Sequence, residues 1–288
     1  MVTGKKPIYT IMLIPLIVVV SIIFVYPLFR VIYLSFFDYH PVFGKEFVGL
    51  QTYRELMVDN LFLTTILRTF IYVIVVVLSN LIIGMVYSML TYRLHKGVKL
   101  LRLILIVPIL LMPPVTASTW MLLYNEQFGL INHILGAIGF PAVMWLSSSR
   151  TAFPAVMVTD IWGWIPFVYL ILLAGMQSLP TEPFEAAELD GASSTQKFIY
   201  LMLPMMKPVL ATATIIKCLD TYKTFSFVWI MTKGGPGYSS HVLGTLVFQK
   251  AFSSFQYGLG STMAIVMILI GFLLVCLVGL IFRERNRC

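Results

Sequence analysis

Three charged residues interrupt a long apolar run in the second half of the chain. Lys217, Asp220 and Lys223 are spaced three apart, so that on a helix they lie on one face. Charges at membrane depth are costly, and they normally face protein or a water-filled cavity. One hypothesis is that this face borders a translocation pathway, where Tyr222 and Phe225 offer surfaces on which ring-shaped solutes can stack. The alternative is a self-neutralising ionic ladder that only fixes packing, and the spacing does not decide between the two.

Further candidates lie near the head of the preceding apolar run. Asp160 is followed there by Trp162 and Trp164. We include Asp160 and Trp164 among the residues that could line the same pathway. Tryptophan near a membrane boundary is more often an interface anchor than a ligand, and the anchor interpretation is favoured for these tryptophans.

The chain offers no arrangement of residues for catalysis or metal binding. Its four histidines are scattered, its three cysteines lack paired spacing, and no nucleophile lies beside a base in any known pattern. The glycine-rich segment 233–237 lacks the Gly-x-x-x-x-Gly-Lys-Ser/Thr spacing of a nucleotide-binding loop. We therefore predict no catalytic residue, no metal site and no ATP hydrolysis in this chain. Energy for any transport must come from another subunit or from an ion gradient.

The most polar connection of the later chain is Pro180–Pro208. Thr181 is predicted to cap a helix with acid in its first turn, where the helix dipole favours negative charge. Gly191 is predicted to end that helix in the left-handed conformation, after about 2.5 turns. Ser193 and Gln196 have the spacing of a capping box that opens a second helix. The acidic residues of this stretch are Glu182, Glu185, Glu188 and Asp190.

The composition excludes a soluble globular domain. Of 288 residues, 59% are hydrophobic and 11% are charged, and the mean hydropathy is +0.92, whereas soluble domains carry about 25% charged residues. The net charge of +8 follows from basic loops and needs no nucleic acid. The first apolar run is too long for a secretory signal and lacks a small-residue cleavage site. Apolar intervals long enough to cross a bilayer predict six spans, at roughly 8–28, 70–90, 103–124, 153–176, 208–231 and 262–282.

The distribution of lysine and arginine predicts the orientation of these spans. Eleven basic residues fall on the side of both termini and seven on the other side, which places both termini in the cytoplasm. The acidic stretch then also faces the cytoplasm. The eleven are Lys5, Lys6, Arg93, Lys96, Lys99, Arg102, Lys197, Lys207, Arg283, Arg285 and Arg287, and the seven are Arg30, Lys45, Arg54, Arg68, Arg150, Lys233 and Lys250.

The acidic stretch resembles a known family motif. Glu185-Ala186-Ala187, three further residues, Gly191 and then Leu203-Pro204 are similar to the EAA loop of inner-membrane permeases of binding-protein-dependent ABC importers. The departure is Leu201, where the family usually has isoleucine. Resemblances to the sugar-type importers extend over nearly the whole chain, and they include Trp120 to Tyr124, Gly129 to Asn132, Trp162 to Pro166, Leu173 to Pro180 and Gly234 to Gly237.

This resemblance implies an all-α membrane protein with six transmembrane helices and a type I ABC importer permease (MetI-like) core. It implies an N-terminal transmembrane helix and outer loop at 1–66, a five-helix permease domain at 67–280 and a basic cytoplasmic tail at 281–288. In the family, the EAA loop, here 180–208, forms a coupling helix that seats in a cleft of the ATPase subunit. The coupling residues implied for this chain are Phe184, Glu185, Ala186, Ala187, Asp190 and Gly191.

The resemblance further implies that the chain carries a sugar or related solute across the bacterial inner membrane by alternating access. The implied partners are a second homologous permease subunit, two ATP-binding subunits, an extracytoplasmic solute-binding protein and the lipid bilayer. ATP and Mg²⁺ would bind to the partner ATPase, and this chain would hold no cofactor. An ion-gradient-driven secondary transporter stays open because of the intramembrane charges, although the chain shows no inverted halves. A non-transporting membrane scaffold is a third class.

Overall fold

The computed structural model describes residues 6–93 and 97–282. The predicted tail at 281–288 therefore lies outside the described residues from position 283 onward, and so do Lys5 and Lys96. The described chain is mostly helical. The helices are α1 (Lys6–Val20), α2 (Tyr26–Leu34), α3 (Gln51–Val58), α4 (Asn60–Arg93), α5 (Val98–Leu110), α6 (Pro113–Leu123), α7 (Leu130–Ala137), α8 (Ala152–Gln177), α9 (Glu182–Leu189), α10 (Ser194–Gln196), α11 (Leu203–Met205), α12 (Lys207–Tyr222), α13 (Ser226–Thr232), α14 (Leu243–Phe248) and α15 (Tyr257–Phe282), with π-helical turns at Ser21–Val25, Lys197–Met202 and Gln249–Ser253.

Four helical stretches of the described chain are long and apolar enough to cross a membrane. They are Leu13–Leu34, Asn60–Tyr92, Ala152–Gln177 and Tyr257–Phe282. Two further pairs of helices meet the same test only when each pair is taken together. They are α5 with α6, bent by 100°, and Ser194–Met205 with Lys207–Thr232, bent by 64°. The six predicted spans therefore require that each bent pair counts as one span.

The bend between α5 and α6 follows from the sequence Met112-Pro113-Pro114. A proline clashes with a helical conformation of the residue before it and drives that residue into an extended conformation. Leu111 and Met112 are extended, with ψ of 130° and 143°. Proline is tolerated in the first turn of a helix, so α6 starts at once at Pro113. The predicted single span at 103–124 is therefore two half-helices.

The structure departs from an all-α fold at one predicted loop. Strands β1 (Phe37–His40) and β2 (Gly44–Phe47) form an antiparallel hairpin in which Phe37 pairs with Phe47 and His40 pairs with Gly44. Each strand has only four residues, and β2, Gly-Lys-Glu-Phe, does not alternate apolar and polar residues, so the sequence gives no strand pattern there. A separate difference concerns the interval between the fifth and sixth predicted spans, 208–231 and 262–282, where the structure contains α14 and the start of α15.

The chain divides into two compact units. The first contains residues up to Leu63 together with Leu246–Leu269. Within it, the Thr262 hydroxyl donates a hydrogen bond to the Ser35 carbonyl oxygen at 3.1 Å, and the Tyr53 hydroxyl donates to Ser35 Oγ at 2.7 Å. Gly258 approaches β1 so closely that a Cβ atom there would collide with the Phe37 carbonyl oxygen. These contacts hold the hairpin and the start of α15 together.

The second unit contains Thr64–Thr245 and the residues from Ile270 onward. Small residues allow its helices to approach closely, as is common where apolar helices pack without a hydrophobic driving force. A Cβ atom at Gly175 of α8 would lie 2.7 Å from Val209 Cγ1 of α12, and one at Gly84 of α4 would lie 3.0 Å from Val168 Cγ1 of α8. Helix α8 therefore packs between α4 and α12, which positions the residues discussed below.

Candidate functional site

Helix α9 in the EAA loop (Pro180–Pro208) starts at Glu182, and Glu182 and Glu185 lie in its first turn, where the helix dipole favours acid. The predicted cap by the Thr181 side chain is wrong. Thr181 has helical backbone angles (φ −82°, ψ −28°) and its side chain makes no capping hydrogen bond. An N-cap side chain reaches the helix from an extended backbone, which Thr181 does not adopt.

The end of α9 and the start of α10 agree with the sequence predictions. Gly191 is left-handed, with φ +78°. Its N–H donates to the Glu188 carbonyl oxygen at 3.1 Å, and the Ala192 N–H donates to the Ala187 carbonyl oxygen at 2.9 Å, which together form a Schellman motif. Ser193 and Gln196 form the predicted capping box. The helix has eight residues, which is slightly over two turns, and it is closed at its C-terminal end by hydrogen bonds.

The predicted coupling residues differ in their exposure. Glu185, Ala186, Asp190 and Gly191 are exposed, whereas Ala187 is half-buried. Phe184 is also half-buried and points away from the open face. It lines a cavity of about 220 Å³, and the other residues of that lining are Met89, Tyr92, Ser194, Lys197, Phe198 and Met202. Phe184 therefore anchors α9 beside α4, while the acidic positions and Ala186 face outward.

Leu189 is the residue of α9 that the sequence analysis missed. Its side chain is 90% exposed, at the last position of the helix. Leu189 lies on the same helix as the exposed Glu185 and directly before the exposed Asp190, so α9 presents an apolar side chain beside its acids. The signal available in the sequence was a leucine four residues after Glu185, because positions four apart lie on one helical face.

The second group of predicted residues meets inside the second unit. Lys217 of α12 is fully buried, and its Nζ lies 3.1 Å from Asp160 Oδ1 of α8. The Tyr72 hydroxyl of α4 donates a hydrogen bond to Asp160 Oδ2 at 2.9 Å. The Lys217 ammonium also lies 4.7 Å from the centroid of the Trp164 ring, a distance typical of cation–π contact. Asp160 and Lys217 were predicted separately, and the structure joins them as a buried ion pair.

The predicted charged face of the fifth span (208–231, hereafter segment five) is present in the structure. Lys217 Nζ lies 3.6 Å from Asp220 Oδ2, and Lys223 Nζ lies 3.9 Å from Asp220 Oδ1. The Asp220 side chain is 30% exposed and that of Lys223 is 71% exposed. The row of charges therefore runs from a buried end at Lys217 to an open end at Lys223.

Of the two aromatic candidates in segment five, Tyr222 is buried and Phe225 is half-buried. A Cβ atom at Gly271 would lie 2.8 Å from the Tyr222 ring, so Tyr222 packs tightly against α15. Phe225 follows the end of α12, with its ring stacked on Trp229 at 5.7 Å and 17°. Trp229 was not among the predicted residues, although it lies four residues after Phe225, as expected for neighbours on a helix.

This arrangement favours binding and conformational coupling over bond chemistry. A buried carboxylate–ammonium pair with a hydroxyl donor holds three helices in register, because each charge would be costly to leave alone in an apolar setting. The partly exposed carboxylate of Asp220 can accept hydrogen bonds from the hydroxyls of a solute, and the exposed ammonium of Lys223 can donate hydrogen bonds to them.

Comparison with known proteins places the chain in a family. Residues 98–286 match the family described as binding-protein-dependent transport system inner membrane component. The trehalose/maltose transport system permease protein MalF of Thermococcus litoralis is 33% identical over 88% of this chain and 86% of that protein. The sulfoquinovosyl glycerol transport system permease protein SmoG of Agrobacterium fabrum is 31% identical over 92% of this chain and 86% of that protein.

A solved structure has the same fold. It is the crystal structure of a bacterial alginate ABC transporter in complex with alginate pentasaccharide-bound periplasmic protein. One of its chains aligns with a TM-score of 0.85 at 18% identity, over 98% of this chain and 96% of that one. With a family match that spans most of its length and relatives above 30% identity, the chain belongs to the inner-membrane permease components of binding-protein-dependent transport systems.

Proposed function

We propose that this chain is a membrane-spanning subunit of an ATP-driven importer that moves a sugar or related solute inward by alternating access. The complete importer contains a second, similar permease, two copies of an ATP-binding subunit and an extracytoplasmic solute-binding protein. ATP and Mg²⁺ bind to the ATPase, so this chain performs transport without being an enzyme. It resides in the bacterial inner membrane with both termini in the cytoplasm.

The observation that carries this proposal is the exposed surface of α9. The Schellman motif and the capping box fix the helix end and the following turn. Acids and the side chain of Leu189, which is 90% exposed, face outward together. A rigid helix with an uncovered leucine suits insertion into an apolar cleft of a separate protein, and we assign that cleft to the ATPase.

The contacts of α9 suggest how movement of the ATPase reaches the spans. Lys197 Nζ pairs with Glu188 Oε2 at 3.0 Å, which links α9 to the segment that leads into α12. Phe184 shares its cavity with Met89 and Tyr92 of α4. A rigid-body displacement of α9 is therefore passed to α4 and α12, the helices that carry Tyr72 and Lys217. Closure of the ATPase dimer on ATP would in this way open the paired permeases outward.

The solute class is supported by the relatives. The MalF and SmoG proteins are named for trehalose/maltose and for sulfoquinovosyl glycerol, and the solved alginate transporter handles a polysaccharide. Hydroxyl-rich solutes match the hydrogen-bonding groups of Asp220 and Lys223 and the stacked ring of Phe225. We propose a sugar, an oligosaccharide or a related glycerol conjugate.

Two substitutions in the EAA loop test the coupling role. Gly191→Pro removes the N–H of the Schellman motif and forbids positive φ, and Ala186→Trp fills the exposed face. Both variants are expected to insert and assemble but to hydrolyse ATP without solute uptake in proteoliposomes. Ala137→Trp, at an exposed alanine of α7, is the matched control and is expected to keep uptake. Undiminished uptake in both EAA-loop variants would rule the coupling role out.

The energy source separates this proposal from the ion-gradient alternative, which the buried Asp160–Lys217 pair would also suit. Purification in mild detergent should recover an ATPase subunit with the chain, and uptake into vesicles should require ATP. Uptake that follows a proton or sodium gradient without ATP would establish the secondary transporter instead. A membrane scaffold would give neither result.

A further inference from the structure

The buried ammonium of Lys217 has two carboxylates within reach, and their surroundings differ. Asp160 Oδ1 lies 3.1 Å from Lys217 Nζ, within hydrogen-bonding distance, whereas Asp220 Oδ2 lies at 3.6 Å. Normal hydrogen bonds from nitrogen to oxygen span about 2.7–3.2 Å. The direct partner of Lys217 is therefore Asp160, which lies 57 residues away in sequence, and not the helical neighbour Asp220.

Asp160 is held in place from both sides. Asp160 Oδ1 accepts a hydrogen bond from the Lys217 ammonium, and Asp160 Oδ2 accepts one from the Tyr72 hydroxyl at 2.9 Å. Both Asp160 and Tyr72 are almost fully buried. A buried ion pair is favourable only when further hydrogen bonds satisfy the remaining polar atoms, and Tyr72 provides such a bond. The Tyr72–Asp160 pair is thus a fixed counter-ion for Lys217.

Asp220, unlike Asp160, is partly exposed to solvent. It lies two residues before the end of α12, where the chain breaks before α13 starts at Ser226. Its side chain is 30% exposed, and its second oxygen lies 3.9 Å from the exposed ammonium of Lys223. Neither lysine is within hydrogen-bonding distance of Asp220, so its oxygens can accept hydrogen bonds from water or from solute hydroxyls.

We infer that Asp160, fixed by Tyr72, is a positioning residue that captures the Lys217 ammonium and thereby keeps the Asp220 carboxylate open at the break in segment five. The assignment of Asp220 to the solute rests on the function proposed above. The positioning itself follows from the charges. If Asp160 loses its charge, the Lys217 ammonium remains buried, and Asp220 is the carboxylate next to it. Asp220 then turns inward to pair with Lys217 and is withdrawn from the exposed break.

Carboxylate labelling of the purified, assembled complex tests this directly. A water-soluble carbodiimide adds to an accessible carboxylic acid, and glycine ethyl ester then displaces the urea to leave a stable amide that mass spectrometry locates. Labelling of Asp220 is expected to fall about fivefold in Asp160→Asn, a loss typical of directly coupled neighbours. The exposed carboxylate of Glu126 in the same chain serves as the internal standard and should not change.

The double variant Asp160→Asn/Lys217→Gln provides the matched control. Without the ammonium, nothing draws Asp220 inward, so its labelling should return to the wild-type level. Unchanged or increased labelling of Asp220 in Asp160→Asn would overturn the inference, and so would a double variant that stays as low as the single one. If Asp160 only stabilised the fold, its replacement by asparagine would not lower the labelling of Asp220.

A measurement on the unmodified complex keeps the inference testable if Asp160→Asn does not assemble. Asp220, whose side chain is 30% exposed, is expected to label faster than Asp160, whose side chain is 2% exposed, and equal or slower labelling would contradict the inference. Uptake of radiolabelled maltose and trehalose, measured in separate assays, tests the solute part. Labelling needs neither ATP nor solute. The labelling result therefore tests the positioning role of Asp160 even if the uptake assays disprove the proposed transport function.

Discussion

Lys217 places a positive charge inside the second unit. It is fully buried and contacts Asp160, Asp220 and the ring of Trp164. Water cannot reach this ammonium, so its charge is stabilised by these neighbours alone. The loss of either member of the Asp160–Lys217 pair therefore affects much more than one contact.

Lys217→Met is expected to destabilise the chain by about 3–5 kcal/mol, because it leaves the Asp160 carboxylate buried without its cation. Detergent-solubilised protein should show a lower midpoint of thermal unfolding and a lower yield of assembled complex. The double variant Asp160→Leu/Lys217→Met replaces the pair by apolar side chains and should recover most of the stability. If the double variant is less stable than Lys217→Met, the pair is not the cause.

Asp220→Asn is expected to abolish or strongly reduce uptake while assembly and basal ATP hydrolysis are retained. The amide keeps the size of the side chain and removes the negative charge that faces Lys223. Radiolabelled sugar uptake and ATPase assays on the same preparation give the two readouts. Asp38→Asn, at an exposed carboxylate of β1, is the matched control. Loss of assembly in Asp220→Asn would instead show that the charged face serves packing.

At the scale of secondary structure elements, the candidate functional surfaces lie at interruptions of the helices. Helix α9 is short and closed by hydrogen bonds, α5 and α6 are separated by an extended pair of residues, and α12 breaks before α13. The exposed charges of segment five lie at the last of these breaks.

The left-handed conformation of Gly191 at the end of α9 predicts how a substitution there changes the stability of the helix. A Cβ atom at Gly191 would meet nothing within 4 Å, so Gly191→Ala is penalised only through its backbone, by about 1–2 kcal/mol. Amide hydrogen exchange in α9 should become about tenfold faster as the helix end opens more often. Gly136→Ala in α7 also meets nothing and lies within a helix, so it should leave exchange in α9 unchanged.

The breaks were harder to predict than the helices. Apolar intervals located α8 to within one residue at each end, because length and hydropathy decide membrane helices. They found α4 and α15 but placed their starts ten and five residues too late. The bend at Met112 could be anticipated from Pro113, but its size of 100° could not. The break after α12 contains neither proline nor glycine, so nothing in its sequence marked it.

At the scale of the whole molecule, the prediction from sequence was good for motifs and poor for pairings. The EAA loop was recognised because its residues are close together in the chain. The contact between Asp160 and Lys217 was missed because 57 residues separate them and only the packing of α8 on α12 brings them together. The hairpin at 37–47 was missed because its strands have only four residues each and β2 does not alternate apolar and polar residues.

Leu189→Ala is the prediction that concerns the assembled importer. It removes about three carbon groups from a surface that we assign to the ATPase cleft, so the affinity of the ATPase subunit should fall by about 2 kcal/mol, or about thirtyfold. Pull-down titrations in detergent measure this. Leu130→Ala, at an exposed leucine of α7, is the matched control. Equal affinity of the ATPase subunit for the wild type, Leu189→Ala and Leu130→Ala would show that Leu189 is not part of the interface.

The uncovered side chain of Leu189 has a consequence for cells that make this protein. A copy synthesised without its partner subunits would leave this leucine exposed at the end of α9. We expect such orphan copies to be degraded quickly and to persist when the ATPase is produced alongside them. The stoichiometry of the importer would then be set after translation, by the lifetime of each unpaired subunit.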